Sequence, residues 1–218
     1  MSTLAVVSAG LGQPSSTRLL ADRLAAAASE ALGGDAAVET VELRDHAHAL
    51  ADATLTGFPS GTLRAAVETV TGAAGLIAVT PVFNASYSGL FKTFFDVLER
   101  DALDGTPVLL GATGGTPRHS LAIDYAMRPL FAHLRAAVVP TAVYAASEDW
   151  GGASADWDGA SGEWHGASGE WHGADPLADR VTRAATELAA LMGARPAPAK
   201  ADPYDDPVPF EDLLAGGR

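Results

Sequence analysis

Residues 3–20 read T-L-A-V-V-S-A-G-L-G-Q-P-S-S-T-R-L-L, and they contain the structural unit that recurs along the chain. The apolar run Thr3–Ser8 predicts a buried strand. A helix over Ser15–Leu32 follows, because leucines and alanines recur there at helical spacing and Gly33-Gly34 provides a stop. The stretch therefore predicts a strand, a glycine-containing loop and a helix in direct succession.

The same alternation continues downstream. Strands are predicted at Val38–Leu43, Leu76–Thr80, Pro107–Ala112 and Val138–Ala145, and helices at Thr62–Thr71, Ser88–Arg100, Ser120–Leu134 and Leu177–Met192. Strands alternating with helices imply a parallel sheet covered on both faces. Five strands and five helices match the α/β flavodoxin-like doubly wound fold, with sheet order 2-1-3-4-5. Because ligands of such folds bind past the carboxyl ends of the strands, the loops at 9–17, 81–88 and 112–119 are predicted to converge.

Composition excludes several classes of function. The 218 residues include no cysteine, which excludes disulfide scaffolds, thiolate metal sites and cysteine nucleophiles. The net charge of −13 argues against nucleic-acid binding, although residues 1–146, with 13 acidic and nine basic residues, could accept an anionic ligand. No apolar run approaches the ~20 residues that span a bilayer, and the first residues lack a signal-peptide pattern. We therefore expect a cytoplasmic protein that binds neither nucleic acid nor membrane.

The first loop has the composition of a phosphate site. Gly10 and Gly12 let the backbone approach a ligand, and three hydroxyls, those of Ser15, Ser16 and Thr17, crowd the start of the helix. The loop lacks the Gly-Lys-Ser/Thr ending of a Walker motif and the third glycine of the dinucleotide fingerprint. An ordinary capped turn is the alternative.

The other two loops favour a flat, hydrogen-bonding ring over a metal ion. The second, P-V-F-N-A-S-Y-S at 81–88, mixes aromatics, hydroxyls and an amide without any charge, and Ser88 could simply cap a helix. The third contains Gly114-Gly115, which leave backbone N–H groups open, although a plain turn is again the alternative. No metal site is expected, since His46 and His48 are interpreted as part of a solvated turn.

Three segments carry a resemblance to a known family: P-S-S-T-R-L-L at 14–20, P-V-F-N-A-S-Y-S-G-L-F-K-T-F-F-D at 81–96 and A-T-G-G-T-P-R-H-S-L-A-I-D-Y-A-M-R-P-L at 112–130. They resemble the NADPH-dependent FMN reductases, and within that family the reductases that supply reduced FMN to a separate monooxygenase. The resemblance covers roughly residues 3–146. It implies FMN and NADPH (or NADH) as cofactors, a luciferase-like or alkanesulfonate-type monooxygenase as partner, and a homodimer or homotetramer.

The resemblance also implies where the flavin would bind. The FMN phosphate would be held by Ser8, Ser15, Ser16 and Thr17, next to Gly10. The isoalloxazine would be bordered on one side by Pro81, Val82, Phe83, Asn84, Ala85 and Ser86, and on the other by Thr113, Gly114, Gly115 and Thr116. No catalytic side chain is expected, because the flavin carries the hydride chemistry. This agrees with the lack of a Gly-x-Ser-x-Gly nucleophile motif.

Two arginine positions bear on the nucleotides. Family members often carry an arginine inside the first loop, whereas this chain has Leu11-Gly12-Gln13 there, and the nearest arginine is Arg18. Arg118 is a candidate for binding the 2′-phosphate of NADPH, the alternative being a solvated side chain. The choice between NADPH and NADH is left open.

Pro129 predicts an irregularity in its helix. It has no N–H to bond the carbonyl of Tyr125, so the helix must kink or form a single π-turn. By the resemblance, Tyr125 would lie at a subunit interface, in a π-turn associated with flavin that exchanges like a substrate. The helix Ser88–Arg100 is apolar on two sides, which also predicts that one side meets a second subunit.

Two other functions remain open from the residues alone. The first is an FMN-bound quinone or azo-compound reductase, and the second is a flavodoxin-like electron carrier that does not use nicotinamide nucleotides.

A pentapeptide, Ala-Ser-x-Asp/Glu-Trp, recurs every seven residues, and its four copies end at Trp150, Trp157, Trp164 and Trp171. Tandem expansion after the last strand is the preferred interpretation, and a flap over the flavin or a partner-docking loop is the alternative. The chain is accordingly divided into a reductase domain at 1–192, with a repeat insertion at about 147–174, and an acidic tail rich in proline and alanine at 193–218.

Overall fold

In the computed structural model, which describes residues 2–150 and 176–194, the apolar runs of the sequence form one seven-stranded sheet. The strands are β1 (Thr3–Ser8), β2 (Ala37–Glu42), β3 (Gly75–Phe83), β4 (Ser86–Tyr87), β5 (Pro107–Gly114), β6 (Ala137–Val138) and β7 (Val143–Ala146). The α-helices are α1 (Ser16–Ala31), α2 (Ala47–Thr56), α3 (Gly61–Gly72), α4 (Gly89–Asp96), α5 (Arg128–His133) and α6 (Pro176–Ala194). None of the helices within these residues is long and apolar enough to cross a membrane.

The sheet has the order β2-β1-β3-β5-β6, and β7 also pairs with β5. All of these pairings are parallel, while β4 pairs antiparallel with the end of β3. Helices α1 and α6 cover one face, and α2, α3, α4 and α5 cover the other. The predicted α/β flavodoxin-like class is confirmed. The described residues form seven strands instead of the five predicted, because β4 is added and the last strand is divided.

The prediction of a single last strand over Val138–Ala145 is wrong. Between β6 and β7 lies Pro140, which has no N–H to donate to a sheet ladder. Side chains satisfy the backbone there instead: Arg128 donates to the carbonyl of Pro140 at 2.5 Å, and Glu187 accepts from the N–H of Thr141 at 2.7 Å. The interruption is thus held in place by α5 and α6.

Sequence reasoning does not predict helix α2, and it interprets only His46 and His48 as part of a solvated turn. His46 ends a short 3₁₀ segment and His48 lies inside α2. Leu50 and Ala53 are its buried residues, whereas Leu55 is exposed, so the sequence has no continuous apolar stripe to indicate a helix.

The presence of α2 also changes the interpretation of α4. Helix α4 was expected to turn one apolar side towards another subunit, but α2 packs against it within the same chain. Phe91, Phe94 and Phe95 are all buried, and Phe91 and Phe95 contact the ring of Phe131. Both apolar sides of α4 are therefore covered internally, and they are no argument for an oligomer.

The predicted helix Ser120–Leu134 is interrupted. Residues Ile123–Met127 form a π-helix, and α5 begins immediately after it with Pro129 as its second residue. Of the two alternatives for this segment, the π-turn is confirmed. Because a π-turn contains one residue more than an α-turn, it accommodates the missing N–H of Pro129 without breaking the chain direction.

Candidate functional site

Three loops meet at the carboxyl edge of the sheet, as the strand order predicts. Ser8 at the end of β1 is opposite Val79 of β3, and Thr80 is opposite Ala112 of β5. The first and third loops are joined directly, since Thr17 Oγ1 and the Thr113 Oγ1 lie 2.8 Å apart in a buried hydrogen bond. Residues 96 positions apart are thereby fixed next to each other.

The first loop presents backbone donors at the start of α1. Ser15 caps the helix, its Oγ accepting from the N–H of Arg18 at 3.2 Å. The N–H groups of Ser16 and Thr17 belong to the first helical turn and have no intrahelical acceptor. A Cβ on Gly10 would lie 2.1 Å from Ser15 Oγ, so the close packing of this loop requires glycine there.

Ser8 adds an unusual feature beneath this loop. Its side chain is 1% exposed, and its Oγ has no hydrogen-bond partner among the described residues. A buried hydroxyl without a partner costs about 1–3 kcal/mol, which a bound group with a polar atom could recover. Thr17, by contrast, already uses its hydroxyl on Thr113.

Two arginines, Arg18 and Arg44, lie beside the first loop, and the sequence indicated only Arg18. Arg18 is paired with Asp22, whose hydrogen bond and charge, together with the charge of Glu42, raise the pKa of the guanidinium against the opposing effect of burial. Arg44, which sequence reasoning did not single out, lies in the 3₁₀ segment Leu43–His46 that follows β2, and it donates to the Gly12 carbonyl at 3.2 Å. No local signal indicates this contact, because it joins residues 32 positions apart.

The second loop is a β-hairpin and not an irregular turn. Val82 pairs with Tyr87 and Phe83 with Ser86. Asn84 and Ala85 form the two-residue connection, with φ of 48° and 65°.

The hairpin is followed closely by α4. Ser88 caps that helix, its Oγ accepting from the N–H of Phe91 at 3.2 Å. The Ser88 N–H in turn donates to Thr80 Oγ1 at 3.0 Å, which ties the end of the hairpin back to β3.

The third loop is braced by a tyrosine that the sequence did not reveal. Tyr144 on β7 donates from its hydroxyl to the Thr116 carbonyl at 2.8 Å. The hydroxyl also fills the space beside Gly114, where a Cβ would lie 2.1 Å from it. Burial, and secondarily the charge of Asp149, raise the pKa of the Tyr144 phenol, so it remains a proton donor. Thr116 also caps the short 3₁₀ turn Pro117–His119.

A cavity of about 250 Å³ lies between the hairpin, the third loop and the π-helix. Tyr125 lines it and is 80% exposed, and Arg118 is also exposed at its rim. The remaining lining residues are Ala85, His119, Leu121, Ala122 and Ala126. The two residues proposed for the subunit interface and for the nucleotide phosphate thus face the same space.

The chemistry of the three loops is that of binding without a side-chain nucleophile. They contain no carboxylate, and their polar groups are hydroxyls, amides and backbone N–H groups, with Arg118 and His119 at one end. Such a set suits an anionic group at the start of α1 and a flat heterocycle between the hairpin and the third loop. The unpartnered Ser8 hydroxyl and the tight cradle at Gly10 fit a flavin mononucleotide in this sense.

Comparison with known proteins gives a consistent result. Residues 2–151 match the family model for NADPH-dependent FMN reductases. An FMN reductase (NADPH) from Pseudomonas aeruginosa is 34% identical over 189 residues, which cover 87% of this chain and 91% of the relative. The NADH-dependent FMN reductase SfnF from Pseudomonas fluorescens is 38% identical over 146 residues, covering 66% of this chain and 76% of the relative.

Two solved structures extend the similarity to three dimensions. An oxidoreductase from Corynebacterium diphtheriae superimposes with a TM-score of 0.76 at 42% identity, covering 90% of this chain and 99% of the other. The apo form of the NADH:FMN oxidoreductase EmoB gives a TM-score of 0.67 at 25% identity, covering 97% and 100%. The matched region includes all three loops of the candidate site.

Proposed function

Since the chain belongs to the NADPH-dependent FMN reductase family, we propose that it reduces FMN with NADPH or NADH and supplies the reduced flavin to a separate flavin-dependent monooxygenase. The observation that carries this proposal is the meeting of three donor-rich loops without carboxylates at one sheet edge, where the Thr17–Thr113 hydrogen bond joins the first loop to the third. Relatives named as NADH-dependent FMN reductases SfnF and SfnE support the reduction of FMN by a nicotinamide nucleotide.

The chain's own residues would bind and orient the two nucleotides. FMN, when bound there, would supply the redox chemistry, which is that of a hydride acceptor. Around its phosphate, Ser8, Ser15, Ser16 and Thr17 would offer hydroxyls and backbone N–H groups. The residues Pro81–Ser86 and Thr113–Thr116 would border its ring from the hairpin and the third loop, and their N–H groups would stabilise negative charge there.

The nicotinamide nucleotide would enter beside Arg118. This side chain is exposed at the rim of the 250 Å³ cavity, where it could contact the 2′-phosphate that distinguishes NADPH from NADH. In this proposal, the flavin ring and the nucleotide share the open cavity that the hairpin and the π-helix line.

The assembly is part of the same proposal. Tyr125 within the π-helix and Leu121 just before it are large, exposed side chains, and burying them in a homodimer or homotetramer would remove apolar surface from water. The proposal also includes a cytoplasmic location, where nicotinamide nucleotides are available. Sedimentation equilibrium of the protein and of its Tyr125→Ser variant tests the proposed assembly. A variant that dissociates supports an interface at Tyr125, and a monomeric parent protein contradicts it.

Steady-state oxidation of NADPH and NADH in the presence of FMN, FAD and riboflavin tests the activity. We expect a rate that saturates with free FMN, because a flavin that is released must be turned over as a substrate. A protein that oxidises neither nucleotide contradicts the reductase function. A rate that is independent of added FMN but requires a quinone or azo compound would favour a reductase that retains its flavin.

A further inference from the structure

Two arginines flank the first loop, and carboxylates engage both of them. Arg18 donates to Asp22 at 2.8 Å and also pairs with Glu42. Arg44 Nε lies 3.0 Å from the other oxygen of Glu42 and 3.5 Å from Asp45. Two positive charges are therefore matched by three negative charges, so this cluster has no cationic surplus to offer a phosphate.

Arg44 nevertheless contacts the loop itself. Its Nη1 donates to the Gly12 carbonyl at 3.2 Å. The side-chain amide of Gln13 is oriented with its oxygen towards the guanidinium, because this orientation places an acceptor opposite the arginine donors. The oxygen then accepts from Nη1 at 2.7 Å and also from Nη2. The planar fork of arginine suits such simultaneous contacts, which a lysine ammonium cannot reproduce with the same geometry.

The contact with Gly12 sets the direction of a backbone donor. The Gly12 carbonyl and the Gln13 N–H belong to one planar trans peptide, in which the two groups point in opposite directions. Holding the carbonyl towards Arg44 therefore holds the Gln13 N–H away from it. A loop that binds phosphate through backbone donors depends on such orientation, because each donor contributes only when it is correctly aimed.

We propose that Arg44 is a positioning residue for the phosphate half of the flavin site: it fixes the Gly12–Gln13 peptide from the 3₁₀ segment after β2, while its charge is neutralised by Glu42 and Asp45. The inference rests on the proposed function, since it assigns the first loop to the FMN phosphate. It implies that Arg44 affects flavins that have a phosphate and leaves binding of the ring unaffected.

The test compares FMN with riboflavin, which lacks the phosphate. Both are titrated into the flavin-free protein and its Arg44→Met variant by quenching of flavin fluorescence, at several salt concentrations. We expect the Kd for FMN to rise roughly tenfold in the variant, as for loss of a charge-assisted contact, and the Kd for riboflavin to change by less than about twofold. The salt dependence of the FMN Kd is compared between the parent protein and Arg44→Lys, which keeps the charge of the cluster, and the two should match.

Two further variants support the comparison. Arg44→Lys retains the charge but not the planar fork, so it should show most of the rise in the Kd for FMN. It also allows the test to be made if the Arg44→Met variant does not fold. Arg183→Met removes an exposed arginine of α6, and both Kd values should remain at those of the parent protein.

Three results would overturn the proposal. Equal weakening of FMN and riboflavin would mean that Arg44 only stabilises the fold. Restoration of the parent FMN Kd by Arg44→Lys would mean that the positive charge acts on the phosphate and that the contact with Gly12 is not needed. An unchanged FMN Kd would mean that the contact with Gly12 has no role. Failure of the parent protein to bind either flavin would instead refute the proposed function, so the two failures are distinguishable.

Discussion

Ser8 allows a single-residue test in which stability and binding change in opposite directions. Its buried Oγ has no hydrogen-bond partner in the described part of the chain. Ser8→Ala removes an unsatisfied hydroxyl, so the flavin-free protein should gain about 1 kcal/mol in free energy of unfolding. The same change removes a proposed phosphate contact, so the Kd for FMN should rise roughly tenfold. Urea denaturation and flavin titration measure the two effects.

A matched control for this test is Ser2→Ala, at an exposed position just before β1. It should leave both quantities unchanged. If Ser8→Ala lowers stability without FMN, the hydroxyl has a partner within the fold and its role at the site is refuted.

Tyr144 predicts a dependence of stability on alkaline pH. Burial first, and then Asp149, raise the pKa of its phenol in the folded protein above the usual value of about 10. The unfolded chain therefore releases this proton first as the pH rises. The stabilising contribution is complete below about pH 10 and is lost as the pH rises towards the folded-state pKa.

The Tyr144→Phe variant isolates this effect. It loses the hydrogen bond to the Thr116 carbonyl, so it should be about 1 kcal/mol less stable at neutral pH. Melting temperatures measured between about pH 8 and 11 should fall more steeply for the parent protein than for the variant. Parallel curves would show that another group causes the alkaline transition.

Contacts between residues close in sequence were predictable, whereas contacts between distant residues were not. The cap at Ser15 follows from local spacing, because a hydroxyl three positions before an amide can satisfy it within one turn. The contacts of Tyr144 with Thr116 and of Arg44 with Gly12 join distant residues, 28 and 32 positions apart. They depend on which strands become neighbours, and neither residue type carries a local signal of its partner.

At the level of elements, the hairpin turn carries a measurable strain. Ala85 adopts φ of 65°, a left-handed conformation that costs a residue with a Cβ about 1 kcal/mol or more. Ala85→Gly removes that cost but adds backbone entropy to the unfolded chain, so the free energy of unfolding should rise by at most about 1 kcal/mol. Chemical denaturation measures the change.

The control is the same substitution in a helix. Ala51 lies at an exposed position inside α2, where Ala51→Gly should lower stability by about 1 kcal/mol. The changes in free energy of unfolding are expected to have opposite signs in the two variants, because the two alanines differ in backbone conformation. A loss of stability in Ala85→Gly would mean that the alanine side chain contributes contacts that outweigh its strain.

Elements were predictable from the sequence to different degrees. β1, β3 and β5 are continuous apolar runs, because strands in the middle of a parallel sheet are buried on both faces. Helix α2 has only Leu50 and Ala53 buried, so its small apolar face resembled a polar turn. The π-turn was recognisable as one alternative, because Pro129 removes a specific hydrogen-bond donor.

At the scale of the whole molecule, the strand order determines the site more than any single motif does. Placing β1, β3 and β5 side by side brings three loops together that are separated by long stretches of chain. The alternation of strands and helices predicted this arrangement. It did not predict which faces of the helices would be covered, because that depended on α2. An oligomer must consequently be argued from exposed residues such as Tyr125 and not from α4.

The copies of the tryptophan-containing pentapeptide differ in what is known of their contribution to the fold. Its copies ending at Trp157, Trp164 and Trp171 lie outside the described residues, whereas the first copy, at 146–150, is part of the domain. Asp149 accepts from the N–H of Ala146 at 2.7 Å, and the guanidinium of Arg23 lies 5.1 Å from the centre of the Trp150 ring. The first copy therefore contributes to the fold whatever the others do.

Deletion of residues 153–173 tests whether the other three copies matter. One guanidinium, that of Arg180, contacts both ends of the gap: its Nη2 lies 2.9 Å from Asp149 and its Nε 3.1 Å from the carbonyl of Pro176. The four residues left between Trp150 and Pro176 can span so short a distance, so the shortened chain should fold. We expect its melting temperature to lie within about 2 °C of the parent value and its kcat/KM for FMN to be unchanged.

Trp150→Ala is the matched comparison, because it alters the copy that packs on the domain. It should lower the free energy of unfolding by about 1–2 kcal/mol through loss of the Arg23 contact and of partly buried apolar area. If the deletion lowers kcat/KM for FMN while leaving the melting temperature unchanged, the repeat acts at the flavin site and the expansion is not neutral. If deletion and Trp150→Ala destabilise the protein equally, the later copies pack on the domain as the first one does.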